Sequence, residues 1–252
     1  MRNTLRTLLL SMLVLWSLGS TANAAEFNES QRREIETIVK DYLLANPEIL
    51  QEAAQALEQR QKQTEDEQRK GALVANAELI FRDKADFVAG NPNGNVTMVE
   101  FFDYNCPWCK KDFDDVMALI DEDKELRVVL KEFPILGPDS EYASKAAIAA
   151  GYQGKYLQLH TALFQHEGRI TEKTVNELAI AQGLDMDRLK KDMTNSKVGE
   201  IIGRNRALAQ SLAINGTPAF IINDQLFPGY LPKEELGNAI VEARAKGTCL
   251  VC

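Results

Sequence analysis

The order of strand-like and helix-like stretches after residue 90 constrains this chain more than any other feature. Residues 96–102 are mostly apolar, with Thr97 and Glu100 as the exceptions, and follow the turn cluster at residues 91–94, which is typical of a buried strand. The predicted elements are a strand at 96–102, a helix at 106–120, a strand at 126–133, helices over 140–212, strands at 219–222 and around 226, and a helix at 233–245. A helical block inserted into an α/β sheet is the simplest account of this order, so we predict an α/β fold.

The first residues have the pattern of a secretory signal peptide. Arg2 and Arg6 precede an apolar run at residues 8–18, and Ala22 and Ala24 frame a small-residue cleavage pattern. The run is shorter than the roughly 20 residues that a membrane span needs, so an uncleaved anchor is the weaker alternative. We predict that residues 1–24 are removed and that the protein is periplasmic, with outer-membrane association left open.

The charge balance argues against two classes of partner. The chain has 29 basic and 37 acidic residues, a net charge of −8. Removal of Arg2 and Arg6 leaves 27 basic residues against 37 acidic ones, a net charge of −10. An acidic chain without a basic run is unsuited to nucleic acid and to an anionic membrane surface.

Residues 25–90 are predicted to be helical throughout, with no strand. The stretch at 26–57 has apolar positions at helical spacing, and residues 58–70 contain no large apolar side chain. A helix that is polar on all faces usually bridges separate bodies through solvent. We therefore expect an arm that joins copies of the chain into a dimer or trimer through residues 26–57, followed by a stalk. The alternative is that these helices fold back on the main domain.

The most informative motif is Cys106-Pro107-Trp108-Cys109 at the predicted start of a helix. Free backbone N–H groups and the helix dipole stabilise a thiolate at the first cysteine, and a thiolate is the attacking species in disulfide exchange. Cys109 follows one turn later, where it can attack a mixed disulfide. Pro107 suits the first helical turn because its missing N–H costs little there.

Two other uses of these cysteines are weaker. A structural disulfide across so short a loop gains little closure entropy. A four-cysteine zinc site with Cys249 and Cys252 is possible by count, but 139 residues separate Cys109 from Cys249. The pair Cys249 and Cys252 lies in the tail at 247–252, and it could be a local disulfide, a second redox pair or a Cu(I) clamp.

A second motif, Gly216-Thr217-Pro218, precedes the predicted strand at 219–222, where a proline is a candidate for a cis peptide. Together with residues 101–110, it resembles the DsbA-like proteins of the thioredoxin superfamily. Within them it is similar to ScsC-type and Com1-type periplasmic proteins, which carry extra N-terminal helices. The resemblance covers residues 91–246 and implies a thioredoxin fold with a helical insertion at about 140–212 and an N-terminal helical extension.

The resemblance also implies residue roles. Cys106 is the exposed nucleophile and Cys109 the buried resolving cysteine. Pro218 is the cis-proline that faces them, and Thr217 offers backbone hydrogen bonds to an extended substrate. Glu100 occupies the position of the family's buried acid, which assists proton transfer at Cys109. The alternative for Glu100 is an ordinary carboxylate at a strand edge.

Two residues depart from the family's strong oxidants. Trp108 stands where they have a histidine, and Thr217 stands where they have an apolar residue. We therefore predict thiol–disulfide exchange on exported cysteine-containing proteins, of an isomerase or proofreading type, with a membrane redox partner of the Dsb type. No cofactor or metal is expected. The alternatives are a Cu(I)-handling protein and an envelope structural protein that use the same thiols.

Overall fold

The computed structural model describes residues 27–247. The predicted signal peptide at 1–24 and the second cysteine pair at Cys249 and Cys252 lie outside the described residues. The chain divides into two compact units, with the division after Gln61. Each unit is described by itself below.

The N-terminal unit is helical. Helix α1 covers Glu29–Ala45, and helix α2 begins at Glu48 and ends at Ala75, beyond the division. Asn28 caps α1: its Oδ1 accepts from the Gln31 N–H at 2.9 Å, and its own N–H donates to the Gln31 side chain at 3.0 Å. No residue of α1 is buried. Most of its apolar side chains are exposed: Ile35, Ile38, Val39, Tyr42 and Leu44.

The second unit is built on a five-stranded sheet in the order β1-β3-β2-β4-β5. The strands are β1 (Phe87–Gly90), β2 (Val96–Phe102), β3 (Leu126–Glu132), β4 (Ala219–Ile222) and β5 (Gln225–Pro228). Strands β2 and β3 are parallel, with Glu100 opposite Leu130 and Phe102 opposite Glu132. The other three pairings are antiparallel.

Helices cover both faces of this sheet. They are α3 (Ala77–Phe81), α4 (Pro107–Glu122), α5 (Pro138–Gly151), α6 (Tyr156–Gln165), α7 (Glu172–Ala181), α8 (Met186–Met193), α9 (Ser196–Ser211) and α10 (Lys233–Lys246). Met98 and Phe102 of β2 pack on one face with residues of α4 to α8 and α10. Val99 and Phe101 pack on the other face with residues of α2, α3 and α9. The alternation follows from the two-residue period of a strand.

One sequence prediction is wrong in this region. Residues 25–90 were expected to be entirely helical, but Phe87–Gly90 is a strand that pairs with β3. The helical part nearest to it is also core, because Leu73, Ile80 and Phe81 are buried under the sheet. The second unit therefore begins well before residue 91. A four-residue edge strand is too short to give a period in the sequence.

A buried ion pair fastens this early segment to the sheet. Lys131 of β3 points to the face that α3 covers, and its ammonium donates to the Leu79 carbonyl and to the Asp86 carboxylate. Both charged side chains are fully buried. Burial raises the pKa of Asp86 to about 6, and the Lys131 charge opposes that rise.

None of the helices in residues 27–247 is both long enough and apolar enough to span a membrane.

Candidate active site

The start of α4 lies at the carboxyl end of β2, behind a tight turn. Cys106 is the N-cap residue of α4 and Pro107 occupies its first turn. The Cys106 N–H donates to the Asp103 carbonyl at 3.0 Å, which closes the turn between strand and helix. Both thiols of the motif are free. The helix therefore presents its unpaired N–H groups to Cys106.

The segment Thr217–Pro218 lies against Cys106. Its peptide bond is cis, and the Cys106 sulfur lies 3.2 Å from the Thr217 carbonyl oxygen, to which the thiol donates when it is protonated. This contact covers the sulfur, so Cys106 is only 4% exposed and Cys109 is 0% exposed. The expectation of an exposed Cys106 is therefore wrong. The exposed members of the motif are Pro107 and Trp108, and Trp108 is 54% exposed.

The two thiols have opposite electrostatic environments. A hydrogen bond from Cys109 lowers the pKa of Cys106 to about 6, with further help from Thr217 and from the backbone N–H groups of Cys109 and Trp108, and against the effect of burial. Burial raises the pKa of Cys109 well above its usual value, and Cys106 and Glu100 add to the rise. At neutral pH Cys106 is a thiolate and Cys109 a thiol. This is the division of roles that nucleophilic attack and later resolution require.

Glu100 lies in the middle of β2 and is buried, on the sheet face that α4 covers. Burial, together with the charges of Glu132 and Cys106, raises its pKa to about 8. A carboxyl group with a pKa near neutral can both accept and return a proton. The alternative of a strand-edge carboxylate is contradicted, because β2 is a central strand.

The sequence analysis missed a second buried acid beside this motif. Asp112 lies one turn after Cys109, on the buried side of α4, and is 0% exposed. Within the described residues, neither of its carboxyl oxygens has a hydrogen-bond partner. Burial raises its pKa to about 10, with contributions from the charges of Glu100, Cys106 and Asp115. The available signal was an acidic residue at a position where the helix period demands an apolar one.

A third acid, Glu132, lies at the end of β3 on the same face as Glu100. Its Oε1 accepts from the Tyr104 hydroxyl at 2.9 Å and from the Tyr156 hydroxyl at 2.7 Å. Burial raises its pKa to about 8. The Tyr104 hydroxyl also lies 2.9 Å from Nδ1 of His160. Burial lowers the pKa of that imidazole to about 3, so His160 is a neutral member of the aromatic core.

Two polar residues of the turn before Cys106 tie it to its surroundings, and the sequence analysis overlooked both. Asp103 accepts from the N–H groups of Ile135 and Leu136, at 2.8 Å and 2.9 Å. Asn105 exchanges two hydrogen bonds with the backbone of Ile170, at 2.8 Å and 3.0 Å. These bonds hold the start of α4 between the segment after β3 and the inserted helices.

The two lysines after Cys109 also make specific contacts. The Lys110 ammonium donates to the carbonyls of His166 and Gly168, at 2.8 Å and 2.6 Å. The Lys111 ammonium lies 4.3 Å from the ring centroid of Tyr230 and 5.2 Å from that of Trp108. Trp108 therefore carries a cation beside it, although none of the four motif residues is basic.

No group of three or more His, Cys, Asp or Glu side chains within residues 27–247 is arranged to hold a metal ion.

Comparison with known families agrees with this geometry. Residues 97–241 match the DSBA-like thioredoxin domain, and residues 31–63 match the copper resistance protein ScsC N-terminal domain. The chain belongs to the DsbA-like thioredoxin family and has the fold of its thiol–disulfide oxidoreductases. It also carries the helical N-terminal region found in ScsC.

Several solved structures are similar. A thioredoxin-like oxidoreductase from Silicibacter pomeroyi is 43% identical, covers 67% of this chain and 97% of its own, and has a TM-score of 0.66. BcfH from Salmonella enterica Typhimurium is 28% identical over 85% of this chain and 96% of its own, with a TM-score of 0.71. Proteus mirabilis ScsC in a transitional conformation is 28% identical over 87% of this chain and 98% of its own, with a TM-score of 0.65.

Among curated proteins, the chain resembles part of much longer ones. Na(+)/H(+) antiporter NhaA 1 of Salinispora arenicola is 29% identical over 162 residues, which is 64% of this chain and 25% of the antiporter. The chain thus spans about a quarter of the length of the curated relatives that it matches.

Proposed function

We propose that this protein catalyses thiol–disulfide exchange on exported cysteine-containing proteins, with Cys106 as nucleophile and Cys109 as resolving cysteine. The observation that carries the proposal is the opposed acidity of two adjacent free thiols, with the pKa of Cys106 lowered to about 6 and that of Cys109 raised. Because the first thiol is ionised at neutral pH while the second holds its proton, attack and resolution can occur in that order.

The proposed reaction balances without a cofactor. The Cys106 thiolate attacks a substrate disulfide, forms a mixed disulfide and displaces a substrate thiolate. Cys109 then loses its proton to Glu100 and attacks the Cys106 sulfur, which forms the Cys106–Cys109 disulfide and releases the second substrate thiolate. The substrate is reduced by two electrons and the protein is oxidised by two; the reverse sequence donates a disulfide. Thr217 and Pro218 are proposed to hold an extended substrate beside the sulfur.

We further propose that the direction is isomerase or proofreading rather than strong oxidation. Trp108 supplies no charge within the motif, and Lys111 is shared between the Trp108 and Tyr230 rings rather than paired with the thiolate. A less stabilised thiolate gives a less oxidising disulfide. A membrane partner of the Dsb type would then keep the pair reduced in the periplasm, the compartment proposed for this chain. Association with the outer membrane stays a separate proposal.

An oligomeric assembly would favour the isomerase or proofreading direction. Helix α1 has an exposed apolar stripe, including Ile38 at 60% and Tyr42 at 58%, and this stripe supports an association role for residues 26–57. A dimer or trimer would place several catalytic pairs around one misfolded substrate. Sedimentation of the parent chain and of an Ile38→Glu, Tyr42→Glu variant tests this. We expect a smaller species for the variant, and a monomeric parent would refute the proposal.

The exchange proposal is tested by incubating the reduced protein with a protein whose disulfides are scrambled and following recovery of the correctly paired form. We expect recovery with the parent chain and with a Cys249→Ser, Cys252→Ser variant, but none with Cys106→Ala. A Cys109→Ala variant should accumulate a mixed disulfide. Equal recovery with Cys106→Ala would exclude the proposed nucleophile, and would leave an envelope structural protein as the alternative.

The reduction potential of the Cys106/Cys109 pair in a glutathione buffer separates the directions. A value near about −120 mV would identify a strong oxidant, whereas a value toward about −200 mV fits an isomerase.

Cu(I) handling is the alternative function, favoured by the name of the matched ScsC N-terminal domain, a copper resistance protein. The free thiols in the described residues are Cys106 and Cys109. Titration of the fully reduced chain with Cu(I) decides between the functions. Tight stoichiometric binding without any exchange activity would favour copper handling.

A further inference from the structure

Asp112 is the residue near the candidate active site whose position is hardest to explain by stability. It lies three residues after Cys109 on the same side of α4, where neighbouring side chains are about 5–6 Å apart at their Cβ atoms. Its carboxyl group is fully buried and neither oxygen has a partner among the described residues. A buried carboxyl without partners costs stability, so a packing role would be better served by an apolar side chain.

The groups that face this part of α4 are mostly acidic. The charges that act on Asp112 come from Glu100 of β2, from Cys106 and from Asp115 of α4 itself. Further ionisable groups on the elements that pack here are Glu132 of β3, the neutral His160 of α6, and Lys233 of α10, which pairs with Glu122 at the far end of α4. The two lysines next to Asp112 on α4 are engaged elsewhere, since Lys110 donates to the carbonyls of His166 and Gly168, and Lys111 lies over the rings of Tyr230 and Trp108.

We propose that Asp112 is a second proton site for the resolving cysteine, paired with Glu100 so that either carboxyl can take the Cys109 proton. This inference rests on the proposed exchange reaction and deepens it. In the reduced protein burial is the main cause that keeps both acids protonated, and the charge of the Cys106 thiolate adds to it. When Cys106 enters a mixed disulfide, that added contribution disappears, so the pKa of both acids falls at the moment when Cys109 must ionise.

The proton step balances in either direction. The Cys109 thiol gives its proton to the carboxylate of Glu100 or Asp112, and the Cys109 thiolate attacks the Cys106 sulfur. The Cys106–Cys109 bond forms, the bond from Cys106 to the substrate breaks, and the substrate leaves as a thiolate. The acid returns its proton when the pair is next reduced.

The test uses the full mature chain with Cys249→Ser and Cys252→Ser, reduced and mixed with the aromatic disulfide 5,5′-dithiobis(2-nitrobenzoate). The first burst of thionitrobenzoate reports attack by Cys106, and the second burst reports resolution by Cys109. The second rate is measured between pH 5 and 9 for the parent, Glu100→Gln, Asp112→Asn and the double variant. Asp114→Asn, which removes an exposed acid from the same helix, is the matched control.

Because each acid can replace the other, we expect each single variant to slow resolution by less than about tenfold. The double variant should lose about a hundredfold, the lower range of general acid–base catalysis. Glu100→Gln should also keep a titrating step that the double variant lacks. Melting temperatures check that each variant is folded, and Asp112→Leu repeats the comparison if Asp112→Asn is not.

Two results would overturn the inference. One is a resolution rate that is the same for Asp112→Asn as for Asp114→Asn, both when Glu100 is intact and when it is replaced by glutamine. The other is an Asp112→Asn effect of the same size with and without Glu100, which would mean a structural role. Loss of the first burst in the parent would instead count against the proposed function, so the two failures are distinguishable.

Discussion

Replacement of Asp112 by asparagine should change how the stability of the reduced protein depends on pH. The pKa of Asp112 is raised by burial, and by Glu100 and Cys106, from 3.8 to about 10. Between these values the folded chain binds a proton that the unfolded chain has lost. Stability therefore falls as pH rises through that interval. The substitution removes this proton while keeping the shape of the side chain.

The magnitude of this change in unfolding free energy follows from the one extra proton that the folded chain binds. Each pH unit between about 4 and 10 costs the native chain about 1.4 kcal/mol through Asp112. From pH 5 to pH 8, Asp112→Asn should therefore gain about 4 kcal/mol relative to the parent. The protonated acid and the amide both lack partners, so the constant offset between the variants should be small.

The assay is urea unfolding at pH 5, 6, 7 and 8 under reducing conditions, followed by the fluorescence of Trp108. This is the only tryptophan after residue 24. Asp114→Asn serves as the control, because its side chain is exposed. A free-energy difference between Asp112→Asn and the parent that stays constant over this range would refute the reasoning. It would mean that Asp112 is ionised, or that water reaches it.

Three further outcomes are expected. Asp86→Ala should lower the free energy of unfolding in urea by about 3–5 kcal/mol, because it leaves the buried Lys131 ammonium unpaired. The double variant Asp86→Leu, Lys131→Met should recover most of this loss, because it removes both charges. The thiolate absorbance of Cys106 at 240 nm should titrate with a midpoint near pH 6, so that the thiol is about nine-tenths ionised at pH 7. A midpoint above 8 would mean that the hydrogen bonds around Cys106 do not lower its pKa. Asn105→Ala should cost about 2–3 kcal/mol, since it removes two hydrogen bonds to the Ile170 backbone and one to the Ser140 hydroxyl. A loss under about 0.5 kcal/mol would show that water replaces these bonds.

The sequence predicts the elements best where one signal dominates. The strand at Val96–Phe102 has the predicted bounds, because a short, mostly apolar run rich in valine and phenylalanine that follows a turn cluster favours a strand over a helix. The edge strand Phe87–Gly90 is missed because four residues give no period and its pairing with β3 is a long-range contact. The sequence also does not reveal that Ile80 and Phe81 are buried, because their burial depends on long-range packing against the sheet.

The residues of the candidate site also differ in how well the sequence predicts them. Cys106 and Cys109 stand in a motif whose spacing indicates the chemistry, and the family resemblance adds Pro218 as the cis-proline, which the structure confirms. The burial of Cys106 depends on the position of Thr217, which is 111 residues away in the chain and in contact in the fold. Asp112 is overlooked because a charged residue at a helix position is normally solvated, and only the packing around α4 makes this one buried.

The alternating faces of the central strands keep two buried charge systems apart. The acids Glu100 and Glu132 point to the side of the cysteines, whereas Lys131 and its partner Asp86 lie on the side of α3. Substitutions that retune proton transfer at the thiols are therefore separated by the sheet itself from the ion pair that fastens the segment before β1. The redox chemistry of such a chain can diverge during evolution without loosening its attachment to the preceding helices.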